Sequence, residues 1–319
     1  MLRFILGGVL AAVAGAAAAQ SYPAKPIRFI VPFPPGGGTD IVARTVAGKL
    51  TETKKWVIVL ENKPGAGGNL GIEQAVKSPP DGYTMVIGQT SNLAINPTLH
   101  KNLPYDPVKD LAPVALMVSA PIILVTSDKR PFKSLAEVVA AAKAKPGQLS
   151  YASPGNGTVA HLTAELFQRA AGIQLSHIPY KGASQAMTDL MGGQVDLYLS
   201  SVPSAIAQIK GGKLRALAVT GAKRSAELRE VPAVAESGYK GFDVTTWYGL
   251  LFPAGTPEPV VTLMNGEVNR VLKLADVRAR LAAEGGDVLG GTPGEFAAVL
   301  KADLARWGEI VKQSGAKVD

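Results

Sequence analysis

The sequence predicts an α/β fold built on parallel strands with helices on both faces, and three observations support it. Apolar runs rich in β-branched residues alternate with stretches of helical periodicity along the chain. The succession strand, glycine turn, helix start occurs twice, over residues 27–40 and 149–158. With 319 residues, the chain is long enough to bury about three-quarters of its unfolded surface, ample for two such units.

The run 27–33 reads as a buried strand that breaks at Pro34-Pro35 and at Gly36, Gly37 and Gly38. Helical periodicity restarts at Ile41, Val42, Thr45, Val46 and Leu50, behind Thr39-Asp40. Such a junction gathers unpaired backbone N–H groups and the positive end of a helix at one point, which suits a carboxylate or phosphate. An ordinary βα turn is the plainer reading of one such loop; the second copy adds weight to the anion site. Residues 56–71 read as a strand and a glycine turn, with a helix running on through Ile72 and Val76. Residues 83–95 read as a strand entering a polar loop, with proline-rich connections at 96–97 and 103–107. Residues 114–127 read as one long buried strand interrupted at Pro121. Ser134 to Glu137 form a capping box, and Pro146-Gly147 closes that helix. Then come a strand at 149–153, the loop Pro154-Gly155-Asn156-Gly157-Thr158, and a helix through Leu162, Leu166 and Phe167. Strand and helix segments fill 175–201, with a further strand at 214–221. Thr256-Pro257 and Thr292-Pro293 each place a capping threonine before a proline at the first helical position.

At the N-terminus, Arg3, the apolar stretch 4–13 and Ala17-Ala18-Ala19 predict a signal peptide over 1–19. An uncleaved anchor is the competing reading, but the stretch is short and rich in small residues. The next most apolar segment, 114–125, is also too short and contains Ser119 and Pro121. The absence of cysteine excludes disulfides and cysteine lipidation, and an exported, disulfide-free protein fits a bacterial periplasm. The net charge of +8 is scattered and aromatics make up only 6%. That pattern lacks a nucleic-acid footprint and favours acidic small molecules at long range.

The catalytic inventory is thin. His100, His161 and His177 share no metal-ligand spacing, and neither H-E-x-x-H nor C-x-x-C occurs, so no metal is expected. The loop from Gly65 to Gly71 misses G-x-G-x-x-G, with Leu70 at the third glycine position, and no cofactor is expected. Gly182-Ala183-Ser184-Gln185-Ala186 is an imperfect nucleophile elbow, leaving an exported serine hydrolase using Ser184 as an alternative. A chain rich in anion-cradling backbone and poor in bases and nucleophiles favours binding over catalysis.

Several longer motifs stand in order: YPAKPIRFIVPFPPGGGTD, LENKPGAGG, PDGYTMVIG, GNGTVAHLTAELF, IPYKGASQAMTDLMGGQVDL and TWYGLLFPAGTP. With them the chain resembles, over essentially its whole mature length, extracytoplasmic solute receptors of the Bordetella uptake gene type. These are the substrate-binding components of tripartite tricarboxylate transporters. The resemblance implies a periplasmic binding protein fold, with two type II-like α/β domains joined by crossover strands around a central cleft. It sets domain 1 at 21–122 plus 245–319 and domain 2 at 123–244. It further implies a monomeric periplasmic receptor that closes over a small carboxylate, such as a di- or tricarboxylate, and delivers it to membrane transporter subunits. No nucleic acid is involved; a sensory receptor reporting to a signalling partner is a further alternative. The matching ligand positions are Phe33, Gly36, Gly37, Gly38, Thr39 and Asp40, with Gln89, Thr90, Ser91 and Asn92 nearby. Across the cleft they are Ser153, Gly155, Asn156, Gly157, Thr158 and His161, joined by Tyr198, Ser200, Trp247 and Tyr248. Asp40 cannot usefully face a carboxylate, so it is expected to cap the helix or orient a bound water or amide. Many relatives carry an acidic residue where this chain has Ser200-Ser201, which points away from an amino-acid ligand.

Overall fold

Strand β1 (Ile27–Val31) lies between β2 (Ile58–Asn62) and β3 (Thr84–Gln89), parallel to both. Its Ile27, Phe29 and Val31 enter one apolar core and Ile30 another, the division required of a strand covered on both faces. The computed structural model describes residues 22–314 and 316; the expected signal peptide lies outside the described residues. Helix α1 (Gly38–Lys54) follows β1 and α2 (Asn69–Val76) follows β2. Beyond β3, the polar residues expected as a loop form instead a buried helical turn, Ser91–Ile95, which runs into α3 (Asn96–Leu99). Leu93, Ala94 and Ile95 are fully buried there, and backbone drawn into a core must bond to itself, which overrides the loop character of the side chains.

Strand β4 (Leu111–Ser127) organises the molecule. Then follow α4 (Leu135–Ala144), β5 (Ser150–Ser153), α5 (Val159–Ala171), β6 (Ser176–Pro179), α6 (Ala183–Gly192), β7 (Leu197–Ser201), α7 (Val202–Lys210) and β8 (Leu214–Val219). The chain returns through β9 (Thr245–Pro253) and ends with α8 (Glu258–Lys273), α9 (Ala275–Ala283), β10 (Asp287–Val288) and α10 (Pro293–Ser314). Up to Pro121, β4 pairs with β9; from Ile122 onward it pairs with β7 and β8. Thus β4 crosses from one sheet into the next without the interruption expected at Pro121. A proline is tolerated where the ladder changes partner, and the next donor, Ile122 N–H, bonds Thr220 Oγ1 at 3.0 Å.

The strand order is β2-β1-β3-β9-β4-β7-β5-β6, with β8 and β10 also on β4. The sheet is mixed rather than all parallel. β1–β3 and β5–β7 pair in parallel, whereas the crossing strands β4 and β9 run antiparallel to their neighbours. The result is two α/β lobes joined by crossing strands around a cleft. One core belongs to the first lobe and one to the second, while a third runs through both by way of Phe296, Leu300 and Trp307 on α10.

The capping box read at Ser134 is partly formed, and the capping threonine read at Thr292 forms a full one. Ser134 Oγ accepts Glu137 N–H at 3.2 Å, and Thr292 exchanges bonds with Glu295 in both directions. Thr256 differs: its hydroxyl donates to Pro253 O, and Pro257 itself stands at the N-cap of α8. Among the described residues no helix is long and apolar enough to cross a membrane.

Candidate functional site

Four helices bring their first turns to one cleft between the lobes. Helices α1, α5, α6 and α7 each follow directly on a strand, β1, β5, β6 and β7, so the carboxyl ends of those strands feed helix N-termini into the crevice. Gly38 and Thr39 of α1, Val159 of α5, Ala183 of α6 and Ser204 of α7 all line it. The cleft measures about 480 Å³ including the part open to solvent. Among the described residues no charged side chain lines the cleft. Positive potential therefore comes from helix ends and their N–H groups rather than from Lys or Arg.

Three serine hydroxyls bridge the cleft. Gly38 N–H donates to Ser204 Oγ at 2.9 Å, Val159 N–H donates to Ser91 Oγ at 3.1 Å, and Ser184 Oγ donates to Pro35 O at 3.0 Å. Among the described residues no ion pair crosses it. Gly38 is a true close approach: a Cβ there would lie 2.5 Å from the Tyr248 hydroxyl and 2.7 Å from Ser201 Oγ.

Of the expected ligand positions, Phe33, Gly37, Gly38, Thr39, Gln89, Ser91, Thr158, Ser200 and Tyr248 line the cleft. Thr39 Oγ1 accepts from Gln89 Nε2, and Thr246 Oγ1 donates to Gln89 Oε1, so this wall is pre-set. Burial pushes the Tyr248 hydroxyl up to about 12, so it is neutral and available as a donor. Gly36 sits at the lip beside Ser184, and Gly155 and Asn156 line an adjoining recess that shares Phe33, Pro34 and Pro154 with the cleft.

The remaining positions stand behind the lining. Asp40 is turned away: its carboxylate accepts from Gly36 N–H at 3.0 Å, Arg44 Nε at 2.8 Å and Asn62 Nδ2 at 2.9 Å. Burial alone would raise its pKa, but these donors outweigh it and hold the group below its ordinary value. Asp40 thus fastens the glycine turn. Thr90 Oγ1 accepts Trp247 N–H, Asn92 Oδ1 accepts Gln89 N–H, and Trp247 Nε1 donates to Asp303. Tyr198 is fully buried under the second lobe.

The second glycine loop is braced by a ring stack. Gly157 N–H donates to His161 Nδ1 at 3.3 Å; His161 stacks on His177 at 4.2 Å, and His177 on Tyr151 at 4.7 Å. Burial lowers the pKa of His161, and burial together with the repulsion that two protonated rings in contact would suffer lowers His177 to about 3, so both rings are neutral at pH 7. Ser153 Oγ lies 2.7 Å from His177 Nε2, a pairing invisible to the sequence, but neither residue lines the cleft. Ser184, the nucleophile of the hydrolase alternative, spends its hydroxyl on Pro35 O, and nothing supports that alternative.

Sequence reasoning missed Ser201, Ser204, Ala183 and Thr246 as lining residues. Ser201-Val202-Pro203-Ser204 carried a readable signal, a serine ahead of a proline in the first turn of a helix.

Two lobes, shared crossing strands and a cleft ringed by helix N-termini define a solute-binding protein rather than an enzyme scaffold. The chain belongs to the tripartite tricarboxylate transporter receptor family, whose model matches residues 42–316. It is 38% identical to the protein BugT of Bordetella pertussis over 98% of this chain and 97% of that one. A solved R. palustris protein with adipate superposes with a TM-score of 0.91 at 32% identity, covering 93% of this chain and 100% of the other. MatC from Rhodopseudomonas palustris with bound malate gives 0.86 at 32% identity, covering 91% and 100%.

Proposed function

We propose that this chain is a periplasmic receptor that captures a small carboxylate between its lobes and delivers it to membrane subunits of a tripartite tricarboxylate transporter, without catalysis. The observation that carries the reading is the convergence of four helix N-termini on a cleft without charged side chains. Such a site compensates anionic charge through backbone N–H groups and helix ends, and a bound cation would find no carboxylate among its lining. Structures of relatives with adipate and malate support the same chemistry.

The receptor acts as a monomer after cleavage of residues 1–19. Its lobes, 21–122 plus 245–319 and 123–244, close on the ligand about β4 and β9. In this scheme the turn at Gly36 to Thr39 and the loop at Gly155 to Thr158 grip one carboxylate from opposite sides. The lining residues named above complete the site, and Asp40, His161, Thr90 and Asn92 hold it in shape. Ligand present at about 100 times its Kd adds about 2.7 kcal/mol of stability. A thermal-shift screen of mono-, di- and tricarboxylates, followed by calorimetry on each hit, is therefore the direct test. Binding of acids but not of matched amides or amines is expected; a panel in which no acid binds overturns the reading.

A further inference from the structure

Nearly every polar side chain lining the cleft is already engaged: Ser91 and Ser204 with backbone N–H groups, Ser201 with Ser204, and Thr39 and Thr246 with Gln89. Tyr248, whose hydroxyl is free to donate, and Ser200 are the exceptions. Ser200 lies on β7 with no exposed surface and lines the cleft; its Oγ makes no hydrogen bond of good geometry, and the protein group beside it is the Tyr198 hydroxyl, itself buried and unpaired. A buried hydroxyl left unpaired is costly, and such groups are rare in native structures unless something else pairs with them. Ser200 is also placed differently from the anion-binding groups. It projects from a strand, opposite Ile123 of β4, whereas the charge-compensating donors all sit at helix starts.

We infer that Ser200 is a specificity residue, which pairs with an uncharged oxygen substituent, a hydroxyl or carbonyl, on the carbon chain of the bound acid. The inference rests on the carboxylate reading above and adds to it. A serine hydroxyl both donates and accepts, so it matches a hydroxyl in either sense and a carbonyl as donor. Against an unsubstituted methylene it stays unpaired, and a site built around a hydrogen bond discriminates against the analogue lacking it. The receptor therefore prefers hydroxy or oxo acids to unsubstituted acids of equal length.

The test uses the full mature chain and paired probes of equal length, malate with succinate and 2-hydroxyglutarate with glutarate, by calorimetry on wild type and Ser200→Ala. Wild type should bind the hydroxy acid about 10-fold more tightly than its partner. In Ser200→Ala that ratio should fall towards one, with affinity for the unsubstituted acid changed less than about threefold. The ligand-free thermal midpoint should not fall, because the deleted hydroxyl has no partner to lose. A drop in that midpoint would show Ser200 to be internally bonded and would overturn the inference. Equal loss of both acids, or a wild type without preference, also overturns it while leaving the carboxylate receptor standing. Failure of every acid to bind removes both readings together.

Discussion

Replacing Gly157 by alanine tests whether the two lobes meet at this loop. Gly157 has φ +75°, so an alanine there carries a left-handed penalty of about 1–2 kcal/mol whether or not the lobes touch. The added Cβ would also stand 2.7 Å from Asn96 Oδ1 and 2.8 Å from Leu99 Cδ2, both on α3 of the first lobe. Asn96 cannot swing away freely, because its Nδ2 is held by Asn69 Oδ1 at 2.7 Å. Overpacking of this kind costs about 1–3 kcal/mol, and it arises only when the lobes are together. The backbone penalty lowers stability but is common to open and closed forms, so it cancels from binding. The overlap does not cancel, and at 1.4 kcal/mol per tenfold it should weaken ligand binding about 5- to 150-fold. Calorimetry for affinity, with thermal unfolding of the ligand-free variant, separates the two effects. A variant with lowered midpoint but unchanged affinity would refute the claim that closure passes through this contact.

Three further outcomes are expected. Ser184→Ala removes one exposed cross-cleft bond, so affinity should weaken only about 2- to 3-fold; covalent labelling of Ser184 by a fluorophosphonate would contradict this role. Neutral His177, lowered to about 3, binds fewer protons in the folded than in the unfolded chain below the ordinary value of 6.5. Stability should therefore decline as pH drops from about 6.5 towards 3, with His177→Gln flattening the curve in pH-dependent thermal unfolding; a wild-type midpoint constant from pH 7 to 5 contradicts it. Asp40 has a depressed folded pKa, so its contribution is present above the ordinary carboxylate range and lost in acid below it. Asp40→Asn should cost about 2 kcal/mol at neutral pH by urea unfolding, and an unperturbed variant would show that the glycine turn holds without it.

The site was legible where backbone chemistry shows in residue type. Glycines and prolines announced both turns, and the unsuitability of Asp40 as a carboxylate ligand followed from charge alone; its carboxylate does fasten Gly36 N–H. What could not be read depends on contacts far apart in sequence. Ser204 meets Gly38 across 166 positions and Ser91 meets Val159 across 68, with no local pattern linking either pair. Residues 90–92 carry loop-favouring polar side chains, so only burial reveals that the segment they open is helical. Pro121 looked like a strand breaker because the sequence does not show that the strand exchanges one neighbour for another at that point.

The three serine bridges have a kinetic corollary. A chain of net charge +8 draws anions by a long-range field that salt screens over about 8–10 Å, so the rate of capture should fall as ionic strength rises. The three serine bonds that span the cleft are neutral and short-ranged, and no ion pair among the described residues reinforces them. Residence time should therefore be nearly indifferent to salt. A receptor built in this way samples its surroundings at a rate set by the medium, yet keeps each captured molecule for a time set by its own fold.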